Sequence, residues 1–496
     1  MSRLAVSAAI LLGMVSAAGG GFAGAQDEPP LPVIVSDEQD EGPPLPVIGG
    51  EEEPGLPAMP EIGPGAEEPA LPAMPEMGAA EPVVSAAQGF SERLDAQLGR
   101  LPVPLHGFLE MRAGARLTDD PDVSRDFTLG ETRLQLKSDP FYRGVQFTFK
   151  ADALYDLVVE ESHLDLREAN AAFSPFSFAD VKVGRQILTW GTGDLLFVND
   201  LFPKDYVSFF IGRDVEYLKA PSDAVKLSLF SDAANLDVVY TPHFDPDVIV
   251  TGKRLSYYNP MLGGRAGDDT RIRADEPERW FRDDELALLL YRNVGGYELA
   301  AYGYRGFWKS PAGTDPATGR MTYPRLDAYG ASVRGRVGKG IGNLEAGYYD
   351  SREDRGGDDA FVRNSEVRFL AGYSQDMPRI ASDFTVGVQY YLEHMLNYGS
   401  YRRSLPPGMP RADETRHVLT LRLTKLLMNQ DLRLELFTFY SPSDDDVYLR
   451  PHVSYDVTDR LRVDAGANVF IGDEDHTQFG QFERDSNVYV GLRCSF

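Results

Sequence analysis

Asn487-Val-Tyr-Val-Gly-Leu-Arg-Cys-Ser-Phe496 is the stretch that decides the fold. Val488, Val490, Leu492, Cys494 and Phe496 fall on one side of a two-residue period. Asn487, Tyr489, Gly491, Arg493 and Ser495 fall on the other. Successive side chains of a strand point to opposite faces, so this is a strand with one apolar and one polar face. It ends on an aromatic residue. Many antiparallel sheets end this way, so the meaning of the strand depends on its partners.

The same period recurs upstream. Leu105, Gly107, Leu109, Met111, Ala113 and Ala115 alternate with His106, Phe108, Glu110, Arg112, Gly114 and Arg116. Val145 to Ala153, Phe384 to Tyr390, Leu419 to Leu423 and Leu461 to Val469 repeat the pattern. Most of these runs approach the roughly 9–11 residues that a tilted strand needs to cross a bilayer. Short connections centre on Asp139-Pro140, Ser174-Pro175, Asp232, Gly295-Gly296, Lys339-Gly340, Asp376 to Pro378, Asn429-Gln430 and Thr458-Asp459. Long ones include 191–222, 242–284, 308–324, 351–362, 396–414 and 472–486. Tight turns at one end and long loops at the other are the habit of outer-membrane barrels. The chain is therefore expected to be all-β, an up-and-down antiparallel transmembrane β-barrel over 104–496. The count is eighteen strands, or sixteen if the segments near 224–241 and 285–306 are not strands. An even count puts both ends of the barrel on the periplasmic side. Tyr142, Phe173, Tyr240, Tyr348 and Tyr455 are placed for interfacial girdles. The closing Phe496 resembles the signal read by the barrel assembly machinery of Gram-negative bacteria, an expected partner beside outer-membrane lipid and lipopolysaccharide.

The N-terminal part is different. Arg3, an apolar run from Leu4 to Val15 and Ala23-Gly24-Ala25 make a secretory signal peptide over 1–25. Residues 26–88 hold fourteen acids and no Lys or Arg. Pro-Pro-Leu-Pro-Val-Ile occurs at 29–34 and 43–48, and Leu-Pro-Ala-Met-Pro-Glu at 56–61 and 71–76. Dense proline fixes φ and like charges repel, so a disordered, extended periplasmic linker is expected. Phe90, Leu94, Leu98 and Leu101 are spaced along one helix face, so 89–103 reads as a short helical bridge. A periplasmic protein could dock on residues 26–100.

Charge and composition exclude several classes. A net charge of −27 disfavours nucleic acid as a partner. After the N-terminus no apolar run is long enough for a membrane helix. One cysteine, Cys494, leaves neither an internal disulfide nor a multi-thiolate metal site. There is no His-Glu-x-x-His, Gly-x-Ser-x-Gly or P-loop, and no catalytic residue, metal ligand or cofactor is assigned. His452 and Ser454 share a polar face, a commonplace arrangement in a strand.

The polar positions of the strands are the expected lumen wall. Arg112, Arg133, Lys150, Arg368, Arg422, Arg433 and Arg462 lie among them with acids such as Glu168. Such a wall either favours anionic solutes or pairs across strands to hold the barrel together. The loop 191–222 mixes Phe197, Phe202, Tyr206, Phe209 and Phe210 with Asp194, Asp200, Lys204, Asp205 and Arg213. It is too apolar for a free surface loop and is expected to fold into the lumen as a constriction, or else to pack on the rim. Arg185, Gln186, Trp190, Asp194, Asp200, Lys204 and Asp205 are the candidate constriction residues.

Leu166-Arg-Glu-Ala-Asn170, Gly184-Arg-Gln186, Trp190-Gly191, Asn199-Asp200 and Pro203-Lys-Asp205 resemble a porin-like outer-membrane family of Proteobacteria without an assigned solute. More distantly the chain is similar to phosphate-selective and alginate-export porins. The close likeness covers about forty residues around that pattern, and the acidic linker lies outside it. The resemblance implies an outer-membrane channel for passive or weakly selective passage of small solutes. Two alternatives stay open. One is an export or import component for a hydrophobic or polymeric solute, working with a periplasmic partner. The other is a structural barrel that tethers the outer membrane to periplasmic components.

Overall fold

Eighteen antiparallel strands close on themselves because the last pairs with the first, Phe108↔Ser495 through Arg116↔Asn487. The computed structural model describes residue 89 and residues 104–496. The signal peptide, the acidic linker and all but one residue of the helical bridge lie outside the described residues. In chain order the barrel strands are β1 (His106–Arg116), β2 (Phe127–Ser138), β3 (Val145–Asp156), β4 (Glu161–Phe176), β5 (Ala179–Ile187) and β6 (Pro221–Leu229). Then come β7 (Asn235–Thr241), β8 (Glu285–Val294), β9 (Tyr297–Phe307), β10 (Arg325–Val337), β11 (Gly340–Ser351) and β12 (Glu366–Asp376). The last six are β13 (Phe384–Met395), β14 (Thr415–Leu427), β15 (Leu432–Ser441), β16 (Asp446–Thr458), β17 (Leu461–Ile471) and β18 (Asn487–Ser495). Each pairs with its neighbour in sequence, and both segments held open at the lower strand count are strands.

The faces divide as the alternation requires. Met111, Leu134, Leu164, Leu288, Leu344, Phe369, Leu419 and Val490 are exposed on the outside. Between them, Glu110, Arg112, Glu131, Arg133, Asp152, Glu345 and Asp464 point inward and are buried. In water this would be inside-out. Beside lipid the apolar belt is solvated by acyl chains, and closure leaves no backbone edge to satisfy. The barrel is therefore a transmembrane one. Tyr142, Tyr348 and Tyr455 lie exposed near strand ends, as girdle residues do. Cys494 shares the outward side of Val490 but is covered between Leu109 and Leu461 of the flanking strands.

Connections at one end are short: 139–144, 177–178, 230–234, 295–296, 338–339, 377–383, 428–431 and 459–460. At the other end lie 117–126, 188–220, 242–284, 308–324, 352–365, 396–414 and 472–486, with 157–160 and 442–445 as tight exceptions. The start of β1 and the end of β18 are both on the short-turn side. One turn is displaced from its expected place. Ser174-Pro175 is not a turn, because β4 runs through it to Phe176 and absorbs the proline in a register shift between Phe173 and Phe176. Proline is tolerated in a ladder at such bulges. Residues 177–178 make the turn, and the ring of Phe178 within it stacks on that of Phe176.

Candidate functional site: a loop threaded through the lumen

Residues 188–220 leave the top of β5 and enter the barrel. Their local fold follows from three aspartates. Asp200 accepts from the Thr189 hydroxyl at 2.9 Å and pairs with buried Lys204 at 3.0 Å. Asp205 caps the helix α1 (Tyr206–Ile211), accepting from the Ser208 amide at 2.8 Å. Asp214 accepts from the Glu216 amide at 3.1 Å and starts a 3₁₀ turn over Val215–Leu218. A side-chain acceptor at each turn satisfies amides that would otherwise be orphaned. Trp190 packs edge-on against Phe202 at 4.9 Å and pins the loop's entry to its midpoint.

The loop forms two lobes. The first, around Thr192 to Asn199, lies on β11, β13 and β14. Asn343 donates to the Thr192 carbonyl at 2.9 Å, and the Asn199 amide group to Glu345 at 3.0 Å. Gln389 accepts from the Asp194 amide at 2.7 Å and donates to its carbonyl at 2.8 Å. Arg422 reaches the Asp194 carboxylate at 2.6 Å. The second lobe carries Phe209 and Phe210 into an aromatic cluster with Phe437, Phe439, Tyr448, Phe470, Phe479, Phe482 and Tyr489. Asn487 donates to the Phe210 carbonyl at 3.1 Å and Arg112 to that of Gly212 at 3.0 Å. The return path runs along β18 and β1 to β4, where Arg167 donates to the Lys219 carbonyl at 2.9 Å. Arg213 meets Glu131 at 2.9 Å, Arg493 meets Asp214 at 3.1 Å and Lys150 meets Glu216 at 2.9 Å. Arg133 lies 4.0 Å over the Tyr217 ring. The loop thus spans the lumen.

The wall residues named from sequence are paired. Arg112 binds Asp464 through two bonds of 2.9 Å, and Arg133 binds Asp152 at 2.6 Å. Arg368 lies 4.1 Å over Tyr349 and pairs with Glu366. Arg433 meets Glu435 at 2.8 Å, Arg462 meets Asp456 at 2.6 Å, and Lys182 stands 3.9 Å from Glu168. His452 lies 3.5 Å from both Glu435 and Asp464. Gln186 is buried on the inner side and donates to the Ala224 carbonyl at 3.0 Å. Arg185 differs from its expected place. It pairs in register with Ala169 and Asp223, two residues from exposed Val183, so it stands on the outer side. There it meets Asp223 at 3.0 Å. A strand turns every second residue outward, and Gln186 takes the inward position.

A second long loop, 242–284, covers the first. Asp247 accepts from the Lys204 amide at 2.7 Å, and the Val248 carbonyl from the Tyr206 amide at 2.9 Å. Burial raises the Asp247 carboxyl above its usual range, against the pull of Ser310 and Lys204. Ser256 donates to buried Asp485 at 3.0 Å, and Arg116 pairs with the same carboxylate at 3.1 Å. Burial outweighs the attraction of Arg116 and pushes Asp485 up to about 7.

Sequence reasoning missed the wall side of this site. Phe437, Phe439, Tyr448, Phe470 and Tyr489 occupy inward parity on β15 to β18, where a water-filled lumen would carry polar groups. That mismatch was a readable signal for something apolar inside the barrel. Several side chains inside the barrel retain exposure: Asp194 at 44%, Arg433 at 36%, Arg422 at 33% and His452 at 29%, and, nearer the short turns, Arg462 at 47% and Lys182 at 34%.

No protein-family model and no curated protein matches the sequence. Solved structures with similar barrels include Pseudomonas aeruginosa OccK11 (OpdR), at 11% identity and a TM-score of 0.47 over 79% of this chain and 95% of that chain. Acinetobacter baumannii OccAB2 gives 10% and 0.47, over 79% and 97%. A mutant of the Rh. blastica porin gives 12% and 0.36, over 79% and 100%. Overlaps this loose say nothing about what passes through the lumen.

Proposed function

We propose that the chain is an outer-membrane channel for small solutes, narrowed by the loop 188–220. The carrying observation is that this loop lies inside the barrel and is bonded to β1, β2, β11, β13, β14 and β18. A loop held on so many sides is a fixed constriction. Its position supports a size limit more than a chemical filter, because the charges around it are paired by sign. Among the residues expected at the constriction, Asp194 is the one that faces Arg422 in the space between the lobes. Asp200, Lys204 and Asp205 support the loop's own fold, and Trp190 with Gln186 anchors its entry. In this reading the short turns, the barrel ends and residues 26–103 are periplasmic, and Phe496 presents the assembly signal. Hydrogen bonds of 2.9 Å in both directions join Phe496 to Gly107 across the closing seam.

The test is conductance in a planar bilayer. The double variant Asp194→Ala, Arg422→Ala removes the pair that flanks the space. It is expected to raise single-channel conductance by roughly 1.5- to 3-fold and to change ion selectivity little. Wild-type protein that inserts without conducting, together with an equally silent variant, would contradict the proposal.

A further inference from the structure

The outer rim above β8 to β11 shows a charge arrangement that neither the lumen nor the fold requires. Arg279, Arg282, Arg305, Arg325, Arg352 and Arg355 gather there, at the loop end of these strands. Arg305 shares the outward side of Leu286, its register partner, and is exposed. Arg325 opens β10 and Arg352 follows β11, joined by a backbone bond of 3.0 Å.

The acids that match them are set behind them. Asp283 is 4% exposed and pairs with Arg279, 65% exposed, at 3.2 Å, and with Arg325, 38% exposed, at 3.5 Å. Asp350 is 15% exposed behind Arg355, 63% exposed. Asp327 lies behind Arg352 at 3.6 Å. Arg282 and Arg305 are exposed, and neither makes an ion pair among the described residues. The carboxylates orient the guanidinium groups from below while the outer face offers N–H donors. Asp284 accepts from the Tyr240 hydroxyl at 3.0 Å and Glu353 from the Arg325 amide at 3.1 Å, and Glu276 and Glu278 are the further exposed acids at the edge.

Beneath this row the surface becomes apolar and aromatic. Tyr329 and Tyr348 face each other across β10 and β11, both exposed, one outward step below Asp327 and Asp350. Leu286 and Leu288 continue the belt on β8. Beside it, Trp280 and Phe281 are 56% and 68% exposed at the end of the loop 242–284. The Trp280 ring lies 5.4 Å from His243. Exposed aromatic rings beside arginines, at the border of an apolar belt, mark the level of lipid headgroups.

We infer that this rim docks a phosphate-bearing membrane lipid headgroup. Its phosphate would be held by the forked donors of Arg282 and Arg305, and its acyl chains would lie over Tyr329, Tyr348 and Leu288. Guanidinium groups bind phosphate through paired N–H donors, and guanidinium is more weakly hydrated than an ammonium group. Against the acidic loops at this end of the barrel, the patch offers an attractive face to an anionic leaflet. The inference rests on the transmembrane reading of the barrel.

The test uses the full chain in detergent micelles, with bound lipid counted by native mass spectrometry. The probes are bisphosphorylated lipid A, its dephosphorylated form and inorganic phosphate. Wild-type protein is expected to retain bisphosphorylated lipid A at least about tenfold more than the dephosphorylated form. Arg282→Gln with Arg305→Gln should remove most of that preference, and Arg402→Gln with Arg403→Gln, on another loop, should leave it. Equal retention of both lipids, or no effect of the rim variant, would overturn the inference. So would displacement of lipid A by millimolar inorganic phosphate. The rim variant's conductance separates the two readings: a barrel that conducts normally without lipid preference fails this inference alone.

Discussion

Gly212 shows how closely the loop is fitted to the wall. Its φ is +87°, and an added Cβ would lie 2.1–2.5 Å from the Tyr489 ring. Both the backbone conformation and the space exclude a side chain. Gly212→Ala is expected to cost about 1–3 kcal/mol and to loosen the second lobe. Faster protease cleavage at Arg213 in folded protein would report it, and unchanged cleavage would count against the fit. Asp485 provides a pH-dependent counterpart. Its folded pKa of about 7 lies above the ordinary 3.8, so the folded state binds this proton more tightly. The stabilisation is full below about pH 4 and is lost as pH rises through about 7. Amide exchange in 480–486, corrected for intrinsic rates, should therefore rise between pH 5 and 8. Asp485→Asn should flatten that dependence, and an unaltered profile would show that another group sets it.

At the scale of the element, the loop 188–220 folds through its aspartates. Asp205→Ala removes the acceptor for Ser208 and is expected to cost about 1 kcal/mol of local stability. It should raise open-channel noise more than mean conductance, because α1 frays while the lobes stay anchored. Open-channel noise equal to that of wild type would contradict that. The sequence showed this loop to be too apolar for a free surface, and the structure places Phe209 and Phe210 in a buried cluster. It did not show what each polar residue does. Asp200, Lys204 and Asp205 looked like channel lining because charge near a pore suggests function. Their partners, Thr189, each other and Ser208, are local, and only coordinates reveal such pairing. Arg185 went astray for a simpler reason. A strand shifted by one position exchanges its faces, and the neighbouring Gly184, at φ +119°, hides the register.

Across the whole molecule, the strand pattern was legible almost throughout. Alternation at 105–116, 384–391 and 461–469 became β1, β13 and β17, the last two running a few residues further, because a barrel in lipid needs apolar residues at every second position. Gly295-Gly296 is the turn between β8 and β9, as the dipeptide implies. Ser174-Pro175 failed as a turn because a bulge can absorb proline where pairing shifts. The contents of the lumen were less legible. Two loops and an aromatic wall occupy part of it, and contacts between residues hundreds of positions apart leave little trace in local pattern. The central claim is that the loop 188–220 sets the width of the passage. Single-channel conductance of the wild-type chain against a deletion of 197–210 tests it most directly. The account predicts a several-fold rise in conductance for the deletion, with both proteins inserting equally. Equal conductance in the two would contradict it.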